Sequence, residues 1–218
     1  MKVGTDGVLL GAWVALDGSE RRVLDIGTGT GLIALMLAQR APQAAITGVD
    51  LIDLGEARSN AERSPWGDRV VFVQQPVQAF KAEPFDLVVS NPPFFVESLL
   101  CPDEGRTTAR HAVELPFEEL RDAVVHLMSD AGRFALVLPL QEATRFEELS
   151  KGVLRAVRRT EVRTTPRHAA KRVLVEFRKA SHAADLPCLC DELMIGTGEH
   201  ECYTEEYRRL TGDFYLKF

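Results

Sequence analysis

One stretch of the chain decides the fold: Val23-Leu24-Asp25-Ile26-Gly27-Thr28-Gly29-Thr30-Gly31, an apolar run that leads directly into three alternate glycines. Residues 23–26 have the composition of a buried strand, and residues 32–40 have the length and composition of a helix. Glycines between a strand and a helix permit a tight turn and let a ligand approach the backbone. The stretch therefore predicts a strand, loop and helix of an α/β sheet, with a ligand site at the loop.

The same alternation of strands and helices continues along the 218 residues. Apolar runs predict strands at residues 45–49, 70–73, 85–89, 134–138, 153–162 and 173–177, with a short strand near 193–195. Helices are predicted at residues 6–16, with Thr5 as the cap, and at 53–63, 117–129, 141–152 and 204–210. We predict one α/β domain over residues 1–218: a Rossmann-like, seven-stranded, mostly parallel sheet, an N-terminal helix within 1–20 and a C-terminal extension at 180–218.

The glycine spacing indicates which ligand the loop binds. It is G-x-G-x-G, whereas a dinucleotide-binding loop reads G-x-G-x-x-G, so NAD is disfavoured. The acidic Asp25 suits a ligand with a cationic amino group, as in S-adenosylmethionine. Asp50 follows the second strand, where a carboxylate accepts ribose hydroxyls, although NAD enzymes share that feature. The alternative explanations are that the glycines only relieve strain in a turn and that Asp50 caps the next helix. Because the glycine loop and Asp50 follow consecutive strands, a cofactor site is favoured.

A second motif, Asn91-Pro92-Pro93-Phe94, follows the strand predicted at residues 85–89. Open α/β sheets place ligands at this carboxyl edge, and two prolines make the turn stiff. An exocyclic amine is a poor nucleophile because its lone pair is delocalised; hydrogen bonds to the Asn91 side-chain oxygen and the Pro92 carbonyl would aim that lone pair at a methyl group. Phe94 would stack on the planar substrate. A rigid connection carrying a core aromatic is the alternative.

Charge is distributed unevenly, although the net charge is −6. Residues 151–179 contain ten Lys or Arg against two Asp or Glu, a local charge of +8. This basic block is either a solvated face or a surface that binds phosphates. Charge alone does not separate the two interpretations.

Cysteine usage and hydropathy argue against a disulfide scaffold, a zinc site, a membrane helix and a secretory signal. The four cysteines are few for a disulfide scaffold, and one residue between Cys188 and Cys190 is too few for a typical zinc pair, so we expect no metal. The sequence contains no apolar stretch of about 20 residues, as a membrane helix needs, and no secretory pattern at its start. We expect a monomeric cytoplasmic protein.

These motifs resemble the bacterial tRNA(Val) adenine-N6-methyltransferases, a family of class I methyltransferases. The resemblance covers essentially the whole chain. It is carried by the glycine loop and by residues 1–7, 9–13, 64–66, 91–94, 203–207 and 214–216. The N-terminal motifs at 1–7 and 9–13 and the C-terminal motifs at 203–207 and 214–216 are the more specific to the family. The resemblance implies methyl transfer from S-adenosylmethionine to N6 of adenine 37 in tRNA(Val).

The resemblance also implies a set of site residues. The target base is assigned to Asn91, Pro92, Pro93 and Phe94. The cofactor is assigned to Asp25, Gly27, Thr28, Gly29, Asp50, Leu51, Val77 and Asn91. The RNA contacts are assigned to Arg106, Arg110, Lys171 and Arg172.

Two departures from the family accompany the resemblance. Pro76 stands where relatives carry an acidic residue for the cofactor adenine, which leaves the Val77 N–H to reach the ring. We also expect the N-terminus to be shortened relative to the family.

Other functions share the two central motifs. An enzyme acting on a release-factor glutamine, on guanine N2 of ribosomal RNA or on DNA adenine would carry the same loop and turn. A non-catalytic RNA-binding module on this scaffold, or an NAD-binding protein, are alternatives from other classes. The family-specific ends of the chain and the basic block favour tRNA as the substrate.

Overall fold

An eight-stranded β-sheet runs through the part of the chain that the computed structural model describes, residues 4–92 and 115–216. The strands lie in the order β3-β2-β1-β4-β5-β7-β6-β8. Their bounds are β1 Arg22–Ile26, β2 Ala45–Asp50, β3 Val70–Gln74, β4 Phe85–Ser90, β5 Met128–Pro139, β6 Leu154–Arg163, β7 Arg172–Lys179 and β8 Leu189–Met194. Among these pairings, only those of β7 with β5 and β6 are antiparallel.

Helices pack against the sheet between these strands. They are α1 Thr5–Trp13, α2 Leu32–Arg40, α3 Gly55–Glu62, α4 Phe117–Leu127, α5 Leu140–Ser150 and α6 Glu205–Thr211. The predicted α/β class with a mostly parallel sheet is confirmed. The single domain over residues 1–218 stays a prediction; α1 and α6 favour it, because Leu10 and Tyr207 belong to the same buried cluster as Val23 of the central strand.

The sheet has eight strands and not the predicted seven, because the short strand of the C-terminal region joins it as β8. This strand pairs in parallel with β6, with Leu193 beside Val162. Four of its six residues are exposed, from Leu189 to Glu192. An edge strand that buries so little has no strong hydrophobic pattern, so its membership of the sheet depends on the open edge of β6.

Helix α1 begins differently from the prediction. Gly4 is the residue before the helix, no side chain caps it, and Thr5 is its first helical residue, so the predicted Thr5 cap is wrong. Asp6 in the first turn instead accepts from the Arg172 guanidinium on β7 at 2.8 Å. Seven successive residues of α1, from Gly7 to Trp13, are buried. A helix with so many successive buried residues is held in place mainly by tertiary packing.

The carboxyl ends of β1 and β4 are tied together where the strand order reverses. Ile26 lies beside Ser90 in the parallel pairing, and the Ser90 hydroxyl donates to the Ile26 carbonyl at 2.8 Å. Because the glycine loop follows Ile26 and Asn91 follows Ser90, this pairing makes the two motifs neighbours. Ligands of open α/β sheets bind at this kind of crevice.

A substitution of Gly48 on β2 tests how closely the glycine loop is packed against the sheet. A Cβ at this position would lie 2.6 Å from Cδ1 of Phe72 and 2.7 Å from Oγ1 of Thr28. We expect Gly48→Ala to lower the free energy of unfolding by about 1–3 kcal/mol, as overpacking usually does. Urea denaturation of both proteins measures this change in the free energy of unfolding.

Gly55→Ala is the matched control for this change. Residue 55 opens α3 on the surface, and an added methyl would meet only the exposed Asp53 carboxylate, at 3.2 Å. We expect this variant to be neutral or slightly stabilised. Equal losses in the two variants would show that packing at Gly48 is not the cause.

Candidate active site

The glycine loop lies directly over the carboxyl ends of β1 and β2. Gly27 and Gly29 have positive φ angles of 72° and 55°, which glycine adopts without steric strain. The Gly27 N–H donates to the Val49 carbonyl at 2.8 Å, which fastens the loop to the end of β2. The loop backbone is thereby fixed at the edge of the crevice, where a ligand can approach it.

Asp25 lies behind the loop, completely buried. Its Oδ2 accepts from the Thr28 hydroxyl at 2.7 Å and from the Ala34 N–H at 3.2 Å, while its Oδ1 is buried without a partner. Burial raises the pKa of Asp25 to about 7, against the opposing effect of these two hydrogen bonds. The carboxylate therefore joins the loop to the first turns of α2 and does not face the crevice.

Asp50 stands at the end of β2 and shapes the loop from the other side. Its Oδ2 accepts from the Gly29 N–H at 2.9 Å, and its Oδ1 accepts from the Ile52 N–H at 3.3 Å. A carboxylate has about four lone-pair sites, so each oxygen retains acceptor capacity. The arrangement can bind the loop and a pair of ligand hydroxyls at the same time.

A cavity of about 520 Å³ opens between these residues and Asn91. Its volume lies within the usual range of small-molecule sites, about 300–1,000 Å³. Of the predicted residues, the cavity is lined by Gly27, Gly29, Asp50, Leu51, Val77, Asn91 and Pro92. Asp25 and Thr28 are not part of the lining. The predictions for Pro93, Phe94, Arg106 and Arg110 fall outside the described residues.

The opposite end of the cavity is formed by the chain after β3. Pro76 precedes a short 3₁₀ turn, Val77–Ala79, and the first N–H groups of such a turn have no partner within it. Gln75 and Gln78 line the same end. The sequence argument missed both; their signal is two amide side chains on either side of Pro76, after a buried strand. This end can therefore offer both donors and acceptors to a heterocyclic base.

The N-terminus of α1 closes the cavity near Asn91. Gly4 and Asp6 line the wall, although both lie far from the glycine loop in sequence and were not predicted. A Cβ at Gly7 would lie 3.9 Å from Nδ2 of Asn91 and 3.3 Å from Cδ2 of Leu32. The tight contact that Gly7 avoids is the one with Leu32 of α2, and the Asn91 amide lies within ordinary van der Waals distance of the same position.

The N-terminal half of the chain matches the sequence model of a known protein family. The model of the methyltransferase small domain covers residues 7–115, which include the glycine loop and Asn91. Similar proteins named tRNA1(Val) (adenine(37)-N6)-methyltransferase occur in several bacteria. That of Porphyromonas gingivalis is 46% identical over 99% of this chain and 89% of its own length. That of Bacteroides thetaiotaomicron is 44% identical, over 99% and 91%. The chain belongs to this methyltransferase family.

Solved structures agree with the fold of this methyltransferase family. A predicted O-methyltransferase from Agrobacterium tumefaciens superposes with a TM-score of 0.72 at 19% identity, covering 95% of this chain and 96% of its own. A glycopeptide N-methyltransferase complexed with S-adenosylmethionine superposes with a TM-score of 0.56 at 16% identity, covering 82% of this chain and 100% of its own. At such identities the likeness concerns the fold alone. The class I methyltransferase fold expected from the resemblance is confirmed.

S-adenosylmethionine, the methyl donor of this family, fits the residues that are present. The cavity is long enough to join the glycine loop to the Val77 turn, and Asp50 lies between them with acceptor capacity left. The donor would place its charged methionine part beside the loop backbone and its base near Gln75. The prediction of this cofactor is confirmed, whereas the role of each lining residue stays a prediction.

The basic block does not form one continuous cationic surface. Arg159 pairs with Glu147 and Glu161, and the Arg158 guanidinium lies 4.2 Å from the centre of the Trp13 ring. Arg163 pairs with Glu192. Lys171 and Arg172 differ from these, because both line a second cavity beside the first.

The described residues contain neither a cluster of metal ligands nor a helix that could cross a membrane. Within residues 4–92 and 115–216, no three His, Cys, Asp or Glu side chains are grouped to hold a metal. Cys188 and Cys190 are exposed with 4.0 Å between their sulfur atoms, and partial desolvation of the Cys188 thiol, together with its contact with Cys190, raises the pKa of Cys188 to about 11. Over the same residues, every helix is too short or too polar to cross a membrane.

Asp25 should make stability depend on pH. Its pKa is about 7 in the folded chain and near the ordinary value of 3.8 when unfolded, so folding takes up a proton between these values. The stabilising contribution is complete below pH 3.8 and is lost as the pH rises through 7. Relative to Asp25→Asn, we expect the free energy of unfolding to fall on the order of 2–3 kcal/mol from about pH 5 to 8.

Chemical denaturation of both variants at several pH values measures this difference. The asparagine keeps the shape of the side chain and the acceptor for Thr28 but does not titrate, so it isolates the one carboxyl group. Two parallel stability profiles would mean that Asp25 titrates alike in the folded and unfolded chain.

Proposed function

We propose that the chain transfers a methyl group from S-adenosylmethionine to the exocyclic N6 of adenine 37 in tRNA(Val). The observation that supports this most strongly is the position of Asn91 and Pro92, which line the cavity directly beside the glycine loop. Relatives with 41–46% identity bear the name of that reaction. The other end of the cavity, with Gln75 and Val77, offers hydrogen-bonding groups suited to the adenine of the donor.

Different parts of the cofactor are assigned to different residues along the cavity. We assign the methionine part to Gly27 and Gly29, the ribose to Asp50, and the adenine to Leu51 and the Val77 N–H. Asp25 and Thr28 act from behind the loop, as residues that position it. When bound, S-adenosylmethionine supplies an electrophilic methyl group on a sulfonium. The loop residues hold that methyl group toward Asn91.

Asn91 and Pro92 act on the acceptor amine. Its two protons are donated to the Asn91 side-chain oxygen and to the Pro92 carbonyl, so that the nitrogen becomes pyramidal and its lone pair points at the methyl group. The nitrogen attacks directly, the carbon–sulfur bond breaks, and the surplus proton leaves the amine for solvent or a weak base. Pro93 is assigned to stiffening the turn and Phe94 to stacking on the flipped base.

The RNA contacts and the cellular setting complete the proposal. Arg106 and Arg110 are proposed to bind phosphates of the anticodon stem-loop, and Lys171 and Arg172 to bind RNA beside the active-site cavity. The enzyme is proposed to act as a monomer in the cytoplasm, where the substrate tRNA is found.

A substrate panel tests the proposed function. The chain is incubated with labelled S-adenosylmethionine and equimolar unmodified tRNA(Val), ribosomal RNA, adenine-containing DNA or a release factor. We expect labelling of tRNA(Val), at an adenine that becomes N6-methyladenine on nucleoside digestion, and its loss when adenine 37 is replaced by guanine. Labelling confined to the release factor, the ribosomal RNA or the DNA would overturn the assignment.

Asn91→Ala tests the role of the amide oxygen in methyl transfer. We expect the turnover number to fall by about 10²-fold, as when one positioned hydrogen-bonding group is removed from a transition state. The dissociation constant for S-adenosylmethionine should change little, since the glycine loop and Asp50 remain. Single-turnover kinetics and calorimetry measure the two quantities.

Asn91→Asp is the matched control, because it keeps an oxygen acceptor at the same place. We expect it to retain more activity than Asn91→Ala. Equal losses of turnover and of cofactor affinity in Asn91→Ala would show that Asn91 supports the cofactor site instead.

The proposed phosphate contacts are tested by salt dependence. We expect Arg106→Ala and Arg110→Ala each to weaken tRNA binding and to reduce the slope of log K against log salt by about 0.7–0.9 for each lost contact. Filter binding at several salt concentrations measures the slope. Arg145→Ala, an exposed arginine of α5, is the control that should leave it unchanged. An unaltered slope in the two test variants would place these arginines away from the RNA.

A further inference from the structure

A second cavity, of about 540 Å³, lies beside the first at the same edge of the sheet. Gly4 and Asp6 line both cavities, so the N-terminus of α1 is their common wall. The second cavity is formed by residues at the end of β6, the start of β7 and the segment after β8, which include Val162, Arg172 and Ile195. The strand order puts β5 and β7 between β4 and β6, so the ends of β4 and β6 are about 14 Å apart at the usual spacing of strands.

Three tyrosines form one wall of this second cavity. The Tyr203 and Tyr207 rings have centroids 5.5 Å apart, and the Tyr207 and Tyr215 rings have centroids 6.4 Å apart. The Tyr207 hydroxyl donates to the Tyr215 hydroxyl at 3.2 Å, and Thr204 caps the helix that carries Tyr207. Tyr207 is buried, with its pKa raised by that burial, whereas 36% of the Tyr203 surface is exposed. A fixed central ring thus supports an accessible outer ring.

Cationic groups also line the second cavity. Lys171 and Arg172 line the cavity, and the Arg172 Nε donates to the Asp6 carboxylate at 2.8 Å. This ion pair fixes Arg172 between the two cavities. Lys171 precedes β7, and its N–H donates to the Val162 carbonyl at 3.1 Å, which fixes the backbone from which its side chain extends.

We propose that this second cavity binds an unpaired nucleoside of the RNA substrate, other than the adenine that is methylated. The inference rests on the proposed function and names a subsite for the same substrate. Aromatic rings stack on the faces of unpaired bases, and lysine or arginine beside them binds the adjoining phosphate. Tyr203 stacks on the base, and Lys171 binds its phosphate.

The spacing of the cavities determines which part of the RNA is held. A single-stranded loop whose target base enters the first cavity extends along the carboxyl edge, where the ends of β4 and β6 are about 14 Å apart, a span within the reach of one RNA loop. Duplex RNA presents no unstacked base, so the subsite selects a loop over a stem. Engaging two bases of one loop would explain how the enzyme places one adenine in the cavity with Asn91.

A cycle of protein and RNA changes tests this subsite. Dissociation constants are measured for the intact chain and for Tyr203→Leu with anticodon stem-loops of tRNA(Val), each carrying one abasic loop nucleotide. We expect Tyr203→Leu to weaken binding of the intact stem-loop by about 5- to 150-fold. One loop position other than 37 should lose affinity when abasic in the intact chain and lose none further in Tyr203→Leu.

Tyr203→Phe is the matched control, since it keeps the ring and removes the hydroxyl. It should bind RNA like the intact chain, and all variants should keep their affinity for S-adenosylmethionine and their melting temperature. Losses that add at every loop position, or a Tyr203→Leu variant that binds RNA normally, would overturn the subsite. Preferential binding of an unrelated peptide at this cavity would also overturn it.

In this design, a result that refutes the subsite can be distinguished from one that refutes the proposed function. The cycle measures binding alone, so it gives a result even if the stem-loop is not methylated. Failure of methylation on the substrate panel overturns the proposed reaction, whereas additive losses in the cycle overturn only the role of the second cavity.

Discussion

The buried carboxylate of Asp25 is the contact on which the active-site geometry depends. One of its oxygens accepts from Thr28 in the loop and from Ala34 in α2, so a single group fixes the loop to the helix that follows it. Burial disfavours the charged form and raises the pKa of Asp25 to about 7, against the opposing effect of the two hydrogen bonds. The loop is therefore held in one conformation before any ligand binds. A loop that is already ordered loses less conformational entropy on binding.

Two further hydrogen bonds hold the glycine loop and the strand end that precedes Asn91 in fixed positions. Asp50 holds the loop through the Gly29 N–H, and Ser90 ties the end of β4 to the end of β1. These hydrogen bonds join elements that lie 21 and 64 residues apart in the chain. Together they fix the distance between the loop and Asn91. Methyl transfer in line with a sulfonium requires such fixed spacing, because the enzyme contributes mainly position and hydrogen bonds.

The N-terminus of α1 connects the cofactor cavity to the surface proposed for RNA. Gly4 and Asp6 line both cavities, and the bond from Arg172 to Asp6 attaches α1 to the start of β7. Much of the basic block is engaged in ion pairs, since Arg159, Arg163, Lys151 and Lys179 all pair with carboxylates. The block is therefore in large part a compensated protein surface. The proposed RNA contacts of this block are Lys171 and Arg172, which line the second cavity where β7 begins.

The sequence by itself determined the α/β class, the strand–loop–helix unit and the positions of Asp50 and Asn91 at strand ends. These features depend on local hydrophobic runs and on glycine and proline geometry, which neighbouring residues specify. Only the tertiary structure decided that Asp25 lies behind the loop and that Asp6 lies in the cavity wall. It also places β8 at the edge of the sheet and brings three tyrosines of the C-terminal region into the lining of the cavity that Lys171 lines. These outcomes depend on packing between segments far apart in the chain, and no short window of sequence contains that information.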